Sequence, residues 1–220
     1  IGAGNVAQHL ISTFLSTSNI EIVQVFARNS ATTIDGIAPH KITSSYSALQ
    51  DADVYIIAVS DDAIPTVSEQ LPFENRLVVH TSGAAPLDSL NYKNRKGVFY
   101  PLQTFSFERE VDWSETPLFV EASHADDLAL LTVLANSLSK RVYQYSSKQR
   151  QTLHLAAVFA CNFSNYCYDM AKQIVDAEQV DFSLLFPLIV ETANKVTVSD
   201  PKLMQTGPAM RQDQNILQMH

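Results

Sequence analysis

Apolar positions divide the chain into two unlike parts. Ile1-Gly2-Ala3-Gly4-Asn5-Val6-Ala7 reads as the end of a strand, a glycine turn and a helix start, so the strand that feeds the turn is expected ahead of the first residue. Val6, Leu10 and Phe14 then recur at i+4, flanked by Ile11 and Leu15, which makes one apolar helix face. Ile20 to Phe26 is rich in β-branched residues and predicts the next strand. A weak helix at 44–49, a strand at 53–59, a helix at 62–71 and a strand at 77–80 continue the β-α-β rhythm, with Asp62 able to cap and Pro65 in the first turn. Val54 to Val59 and Leu77 to Val79 are unbroken apolar runs, the pattern of parallel strands buried on both faces, so helices are expected on both sides.

Further strands are predicted at 97–100, 117–120 and 141–143, with a helix at 125–138. From Ser147 the strand signals stop. Residues 149–177 read as one long helix with Leu153, Ala156, Ala157, Ala160, Ser164, Cys167, Ala171 and Ile174 along a stripe of mostly small residues. A second helix is expected at 182–197 with Pro187 in its first turns, and the turn Thr206-Gly207-Pro208 leads to a last helical stretch. The expected fold class is α/β: a doubly wound parallel sheet over residues 1–146, followed by an all-α domain over 147–220.

Charge and composition narrow the partners. The 220 residues carry 15 Lys+Arg and 23 Asp+Glu, a net charge of −8, so a nucleic-acid backbone or anionic membrane surface is repelled on average. The longest apolar stretches, Val54 to Val59 and Leu155 to Cys161, fall far short of the roughly 20 residues that span a bilayer. A cytoplasmic protein with a small-molecule substrate is the expectation. Cys161 and Cys167 lie six apart, which suits neither a disulfide framework nor half a zinc site, and buried reduced thiols are expected; no ligand cluster suggests a metal.

Gly2-Ala3-Gly4-x-x-Ala7 matches the dinucleotide fingerprint. Its first glycine makes the tight turn, its second lets the backbone meet a pyrophosphate, and the small third residue seats the helix on the sheet. Gly2, Gly4, Asn5, Val6 and Ala7 are therefore candidate cofactor residues, with the positive end of the helix dipole facing the phosphates. The second strand ends in Phe26-Ala27-Arg28-Asn29-Ser30, where no carboxylate stands to hold a ribose diol. Arg28 can instead meet a 2′-phosphate with two donors, aided by Asn29 and Ser30, so NADP is expected over NAD. Ligands of open α/β sheets lie beyond the carboxyl ends of the strands. That points to Val59, Ser60 and Asp61 for the cofactor, and to His80 and Ser82 as candidate catalytic residues, His80 as a proton donor or a structural residue. His154 and Asn162, eight residues or about 12 Å apart along the predicted helix, are further catalytic candidates that could touch two parts of one bound molecule; alternatively, His154 with Val158, Cys161 and Asn165 forms a helix–helix contact stripe. Arg211, near the start of the last helical stretch, suits a carboxylate or phosphate on a substrate, or a structural pairing with Asp213.

With these residues in view, the chain resembles, nearly end to end, NADP oxidoreductases that join a Rossmann-like domain to a helical C-terminal domain of unknown function. The motifs that carry the resemblance are the glycine turn, His80-Thr81-Ser82-Gly83-Ala84, Tyr100-Pro101-Leu102-Gln103-Thr104-Phe105, the stretch His154 to Phe163, and Thr206 to Asp213. The resemblance implies an architecture similar to pyrroline-carboxylate reductases and 6-phosphogluconate dehydrogenase relatives, with a substrate site and homodimer interface supplied by the helical domain. Gln103, Thr104, Thr206, Gly207 and Arg211 are the implied substrate contacts. The chain departs from the β-hydroxyacid dehydrogenases, which carry Lys and an Asn four residues later on the long helix: none of Lys148, Lys172, Lys195 or Lys202 has that partner. Hydride transfer to or from an imine, carbonyl or acid-bearing metabolite is expected. The alternatives are a non-catalytic NADP sensor and a deazaflavin-dependent NADP reductase.

Overall fold

The structure, a computed structural model, describes residues 1–29, 31–207 and 210–219. It divides into two compact units, 1–158 and 159–220. The boundary lies past the expected residue 146. The intervening helix α4 (Ser147–Ala157) belongs to the first unit because its buried Arg150 is tied to that unit's loops.

In the first unit, helix α1 (Asn5–Ser16) starts at Gly4 and buries Ala7, Leu10, Ile11 and Phe14. That spacing is the predicted face, shifted by one residue from Val6 to Ala7. Two short parallel strands, β1 (Val25–Phe26) and β2 (Ile42–Thr43), pair with each other. The expected strand 20–26 is thus confined to its last two residues. Ile20 to Gln24 line a cavity of about 300 Å³ and pair with no strand among the described residues, so the ladder does not extend along them. Ile1 and Gly2 bridge the gap between the two sheets: Gly2 N–H donates to the Phe26 carbonyl at 3.0 Å, and Ile1 O accepts from Ala58 N–H at 2.8 Å.

The larger sheet has the order β3 (Tyr55–Ile57), β4 (Leu77–His80), β5 (Arg95–Pro101), β6 (Leu118–Ala122), β7 (Val142–Gln144). All neighbours are parallel except β5 and β6. Helix α2 (Ile64–Glu69) follows β3 after a 3₁₀ turn, and α3 (Ala125–Asn136) packs on the sheet through Leu131 and Ala135. Leu77, Val78, Val79, Val98 and Leu118 have no exposed surface. Burying such side chains contributes about 1.5–3 kcal/mol each relative to leaving them in water, so the unbroken apolar strands anchor the unit. The weak helix expected at 44–49 is one 3₁₀ turn, Tyr46–Ala48.

The long helix expected at 149–177 begins two residues earlier and is interrupted. Ser146 and Gln149 form a reciprocal capping box that starts α4 at Ser147. Val158–Phe163 then form a π-helical stretch before α5 (Ser164–Ala177). A π turn carries an extra residue, so the 3.6-residue repeat behind the predicted small-residue stripe is broken there. In the second unit α5 is followed by α6 (Phe186–Val198) and α7 (Gln214–Met219). No residue of α5 or α6 is buried, and Tyr166, Met170, Ile174, Phe186, Leu188 and Val190 are exposed. Cys161 and Cys167 are free thiols as expected, but both are exposed rather than buried.

Candidate active site

The glycine turn is built for close approach on one side and openness on the other. Gly2 holds φ at +121°, and a Cβ there would run into the Ala58 carbonyl, so only glycine fits between α1 and the end of β3. Gly4 has ordinary φ, and a Cβ would meet nothing within 4 Å. No side chain caps α1 and no acidic residue stands in its first turn, which leaves the N–H groups of the helix start free of a competing carboxylate. The cradle therefore fits a diphosphate. Asn5 holds the neighbouring loop: its Nδ2 donates to Phe105 O at 3.0 Å, and His9 Nε2 donates to Ser106 O at 2.9 Å. Val6 is half-buried and Ala7 buried, as a helix seated on the sheet requires.

Arg28 is exposed just beyond β1 and forms no ion pair among the described residues. Burial raises the Tyr46 hydroxyl, with the Arg28 charge acting in the opposite sense, so the guanidinium lies within electrostatic reach of that phenol. The Tyr46 ring stacks on Phe26 at 4.2 Å. Asn29 Oδ1 accepts from Ala31 N–H at 2.9 Å and shapes the turn; Ser30 lies outside the described residues. Val59 is half-buried, and Ser60 and Asp61 are exposed where β3 gives way to its 3₁₀ turn.

Beyond β4 the loop is held from within. His80 has no exposed surface, and its Nδ1 accepts from Ser82 N–H at 3.2 Å. Burial, reinforced by the Arg150 charge and opposed by the Pro86 carbonyl, pushes the imidazole down to about 4. His80 is thus a buried neutral ring, and the proton-donor role gives way to the structural one. Ser82 Oγ accepts from Ala84 and Ala85 N–H at 3.0 and 2.8 Å, so this candidate catalytic hydroxyl shapes the turn. Arg150, also without exposed surface, donates through Nη1 to the carbonyls of Ser82 and Gly83 at 2.8 and 3.0 Å. Its Nη2 meets Ser147 Oγ at 3.2 Å and Glu121 Oε2 at 3.4 Å.

A pH dependence follows. The unfolded chain protonates its histidine near 6.5 and folded His80 only near 4, so His80's contribution is complete above about 6.5 and is lost as pH falls towards 4. The loss is about 3 kcal/mol over that window. Urea unfolding followed by Trp113 should show it as a slope that His80→Gln reduces; equal slopes would mean the ring is not held neutral.

His154, half-buried on α4, lies against the same loop. Its Nδ1 is 3.0 Å from the Tyr100 hydroxyl, and a Cβ on Gly83 would collide with the His154 ring and come within 2.7 Å of Tyr100 Cζ. The strand-end loop, Tyr100 and His154 thus meet at one place in the first unit. Tyr100 and Arg150 were not among the candidates from sequence; Tyr100 stood only within a resemblance motif, and an arginine in a polar helical turn reads as surface. Gln103 and Thr104 are exposed, with Gln103 Oε1 accepting from Thr104 N–H at 2.8 Å. The remaining candidates lie in the second unit. Asn162 is exposed in the π-helical stretch, Thr206 and Arg211 are exposed, and Gly207 holds φ at +101°. Pro208 and Ala209 lie outside the described residues. Among the described residues no group of three or more His, Cys, Asp or Glu could hold a metal ion, and no helix is long and apolar enough to cross a membrane.

Comparison with known proteins agrees with this geometry. Residues 1–83 match the family model described as NADP oxidoreductase coenzyme F420-dependent, and residues 116–220 match a domain of unknown function (DUF2520). A solved candidate NADP oxidoreductase from Bacteroides fragilis is 38% identical; the match covers 100% of this chain and 87% of that one, with a TM-score of 0.86. A protein from Thermotoga maritima is 20% identical over 100% of this chain and 87% of its own, with a TM-score of 0.79. An imine reductase from Myxococcus stipitatus, solved with NADP+, is 17% identical over 94% and 77%, with a TM-score of 0.64. The last two likenesses show the fold alone. No curated protein matches the chain. With the open glycine cradle and the whole-length identity to the Bacteroides protein, the chain belongs to the NADP-dependent oxidoreductases that join a Rossmann-like domain to this helical domain.

Proposed function

We propose that the protein reduces a small imine or carbonyl compound with NADPH, with His154 as the proton donor. The observation that carries this reading is the Tyr100–His154 pair packed on the Gly83 backbone, beyond the carboxyl end of β4. A dinucleotide would be held by the Gly2-Ala3-Gly4 turn and the first N–H groups of α1, with Arg28 on its 2′-phosphate. NADPH supplies the hydride. The protein's own part is to hold the acceptor and to give a proton from His154 to the nitrogen or oxygen that gains negative charge. The fold likeness to the Myxococcus imine reductase supports an imine as the first class to try. The family description of residues 1–83 favours a second reading, in which a deazaflavin is the electron partner.

Two measurements test the proposal. Nicotinamide fluorescence should show NADPH binding more tightly than NADH, and Arg28→Ala should reduce that preference about 10- to 100-fold, the equivalent of one charge-assisted contact. Equal affinities in the native protein would refute Arg28 as the phosphate ligand. A panel of cyclic imines, ketones, aldehydes and an oxidised deazaflavin then assigns the acceptor: tight NADPH binding without oxidation by any of them would turn the reading into that of a sensor.

A further inference from the structure

Tyr100 stands on β5 with 8% of its surface exposed, its ring 6.1 Å from Phe119 and edge-on to His154 at 5.9 Å. Its hydroxyl lies 3.0 Å from His154 Nδ1. A neutral imidazole held at that nitrogen has two arrangements. Either the phenol O–H donates to a bare Nδ1 and the ring proton sits on Nε2, or Nδ1–H donates to the phenol oxygen and Nε2 is bare. A phenol is a much stronger acid than a neutral imidazole N–H, which favours the first. His154 Nε2 has no hydrogen-bond partner among the described residues, so in that arrangement it presents a donor with nothing of the first unit to satisfy it. Gly83 contributes by lacking a Cβ, which lets the loop lie against both rings.

We propose that Tyr100 is the positioning residue of this site: it fixes His154 as the Nε2–H tautomer and thereby sets which nitrogen donates to a bound imine or carbonyl. The donor half rests on the reductase reading above; the tautomer half does not. During reduction the Nε2–H bond breaks as an N–H or O–H bond forms on the substrate. The phenol O–H breaks as Nδ1–H forms, and the starting arrangement returns when Nε2 takes a proton from water while Nδ1 gives its proton back to the phenolate; the electron pair of the new C–H bond comes from the reduced nicotinamide. The buried Arg150 charge lies within electrostatic reach of Tyr100 and stabilises the phenolate.

The test is NMR of the imidazole nitrogens in the cofactor-free protein, above the pH range in which imidazole titrates, with His154 assigned by the signal lost in His154→Gln. The native protein should show Nδ1 unprotonated and Nε2 protonated, and Tyr100→Phe, which keeps the ring against Phe119, should show a mixture of tautomers. A proton on Nδ1 in the native protein, or an unchanged ring in Tyr100→Phe, overturns the positioning role. On any imine or carbonyl that the native protein reduces, Tyr100→Phe should lower kcat about 10- to 100-fold with KM within about twofold, since proton transfer rather than binding is impaired. An unchanged kcat overturns the donor half. Failure of the native protein to reduce any such compound would refute the reductase reading, and the tautomer measurement would still decide the role of Tyr100.

Discussion

Arg150→Met should lower the stability of the first unit by about 3–5 kcal/mol, the range for breaking a buried ion pair by removing one partner. The methionine fills much of the same volume, but it leaves Glu121 without its partner and the Ser82 and Gly83 carbonyls without donors. Burial pulls the guanidinium below its ordinary pKa while Glu121 opposes that, so the charge is held only because its partners are in place. Arg150→Lys should recover little, because an ammonium cannot span two carbonyls and a carboxylate as a planar fork does. Urea unfolding followed by Trp113, the single tryptophan and part of the first unit's core, reads the result directly. An unfolding midpoint equal to that of the native protein would show that α4 does not clamp the strand-end loop.

The second large effect separates two glycines of the fingerprint that lie two residues apart but have opposite surroundings. Gly2→Ala forces a side chain into positive φ and against a backbone carbonyl that cannot swing aside. Those two penalties together amount to roughly 2–6 kcal/mol. Gly4→Ala meets no atom and has permissive φ, so stability should change by no more than about 1 kcal/mol. Its methyl instead stands where a diphosphate approaches the helix start, and NADPH affinity should fall at least about tenfold. Thermal unfolding and nicotinamide fluorescence on both variants check the pair. A stable Gly2→Ala protein, or a Gly4→Ala protein that binds NADPH normally, would contradict the geometry of the turn.

Much of the α/β unit was legible because its signals are local. The unbroken apolar run Leu77 to Val79 announced β4, and the i+4 repeat announced α1. Other features depend on neighbours that a linear reading does not supply. Ile20 to Gln24 has strand-forming residues but no adjacent strand among the described residues, and Ile42–Thr43 is too short to stand out until Val25–Phe26 pairs with it. The start of α4 is marked in the sequence by Ser146-x-x-Gln149, a capping signal that the apolar repeat over 149–177 does not contain. The π-helical stretch left no mark, since Val158 to Phe163 has the composition of an ordinary helix. Within the site, the strand-end rule points to the loop after β4 but leaves open whether His80 is a proton donor or a structural residue, because burial is not legible in a linear sequence. His80 satisfies the fold, whereas His154 is reached through helical spacing and the resemblance motif His154 to Phe163, and its partner Tyr100 lies 54 residues away in sequence.

The way Arg150 is bound also bears on which molecules the loop can attract. Four of its five N–H donors already face protein oxygens, so an incoming acid group would find this cation occupied and out of reach of solvent. Its positive charge shapes the local field without offering a docking point. Selectivity beside the loop should accordingly favour acceptors whose reacting end is uncharged.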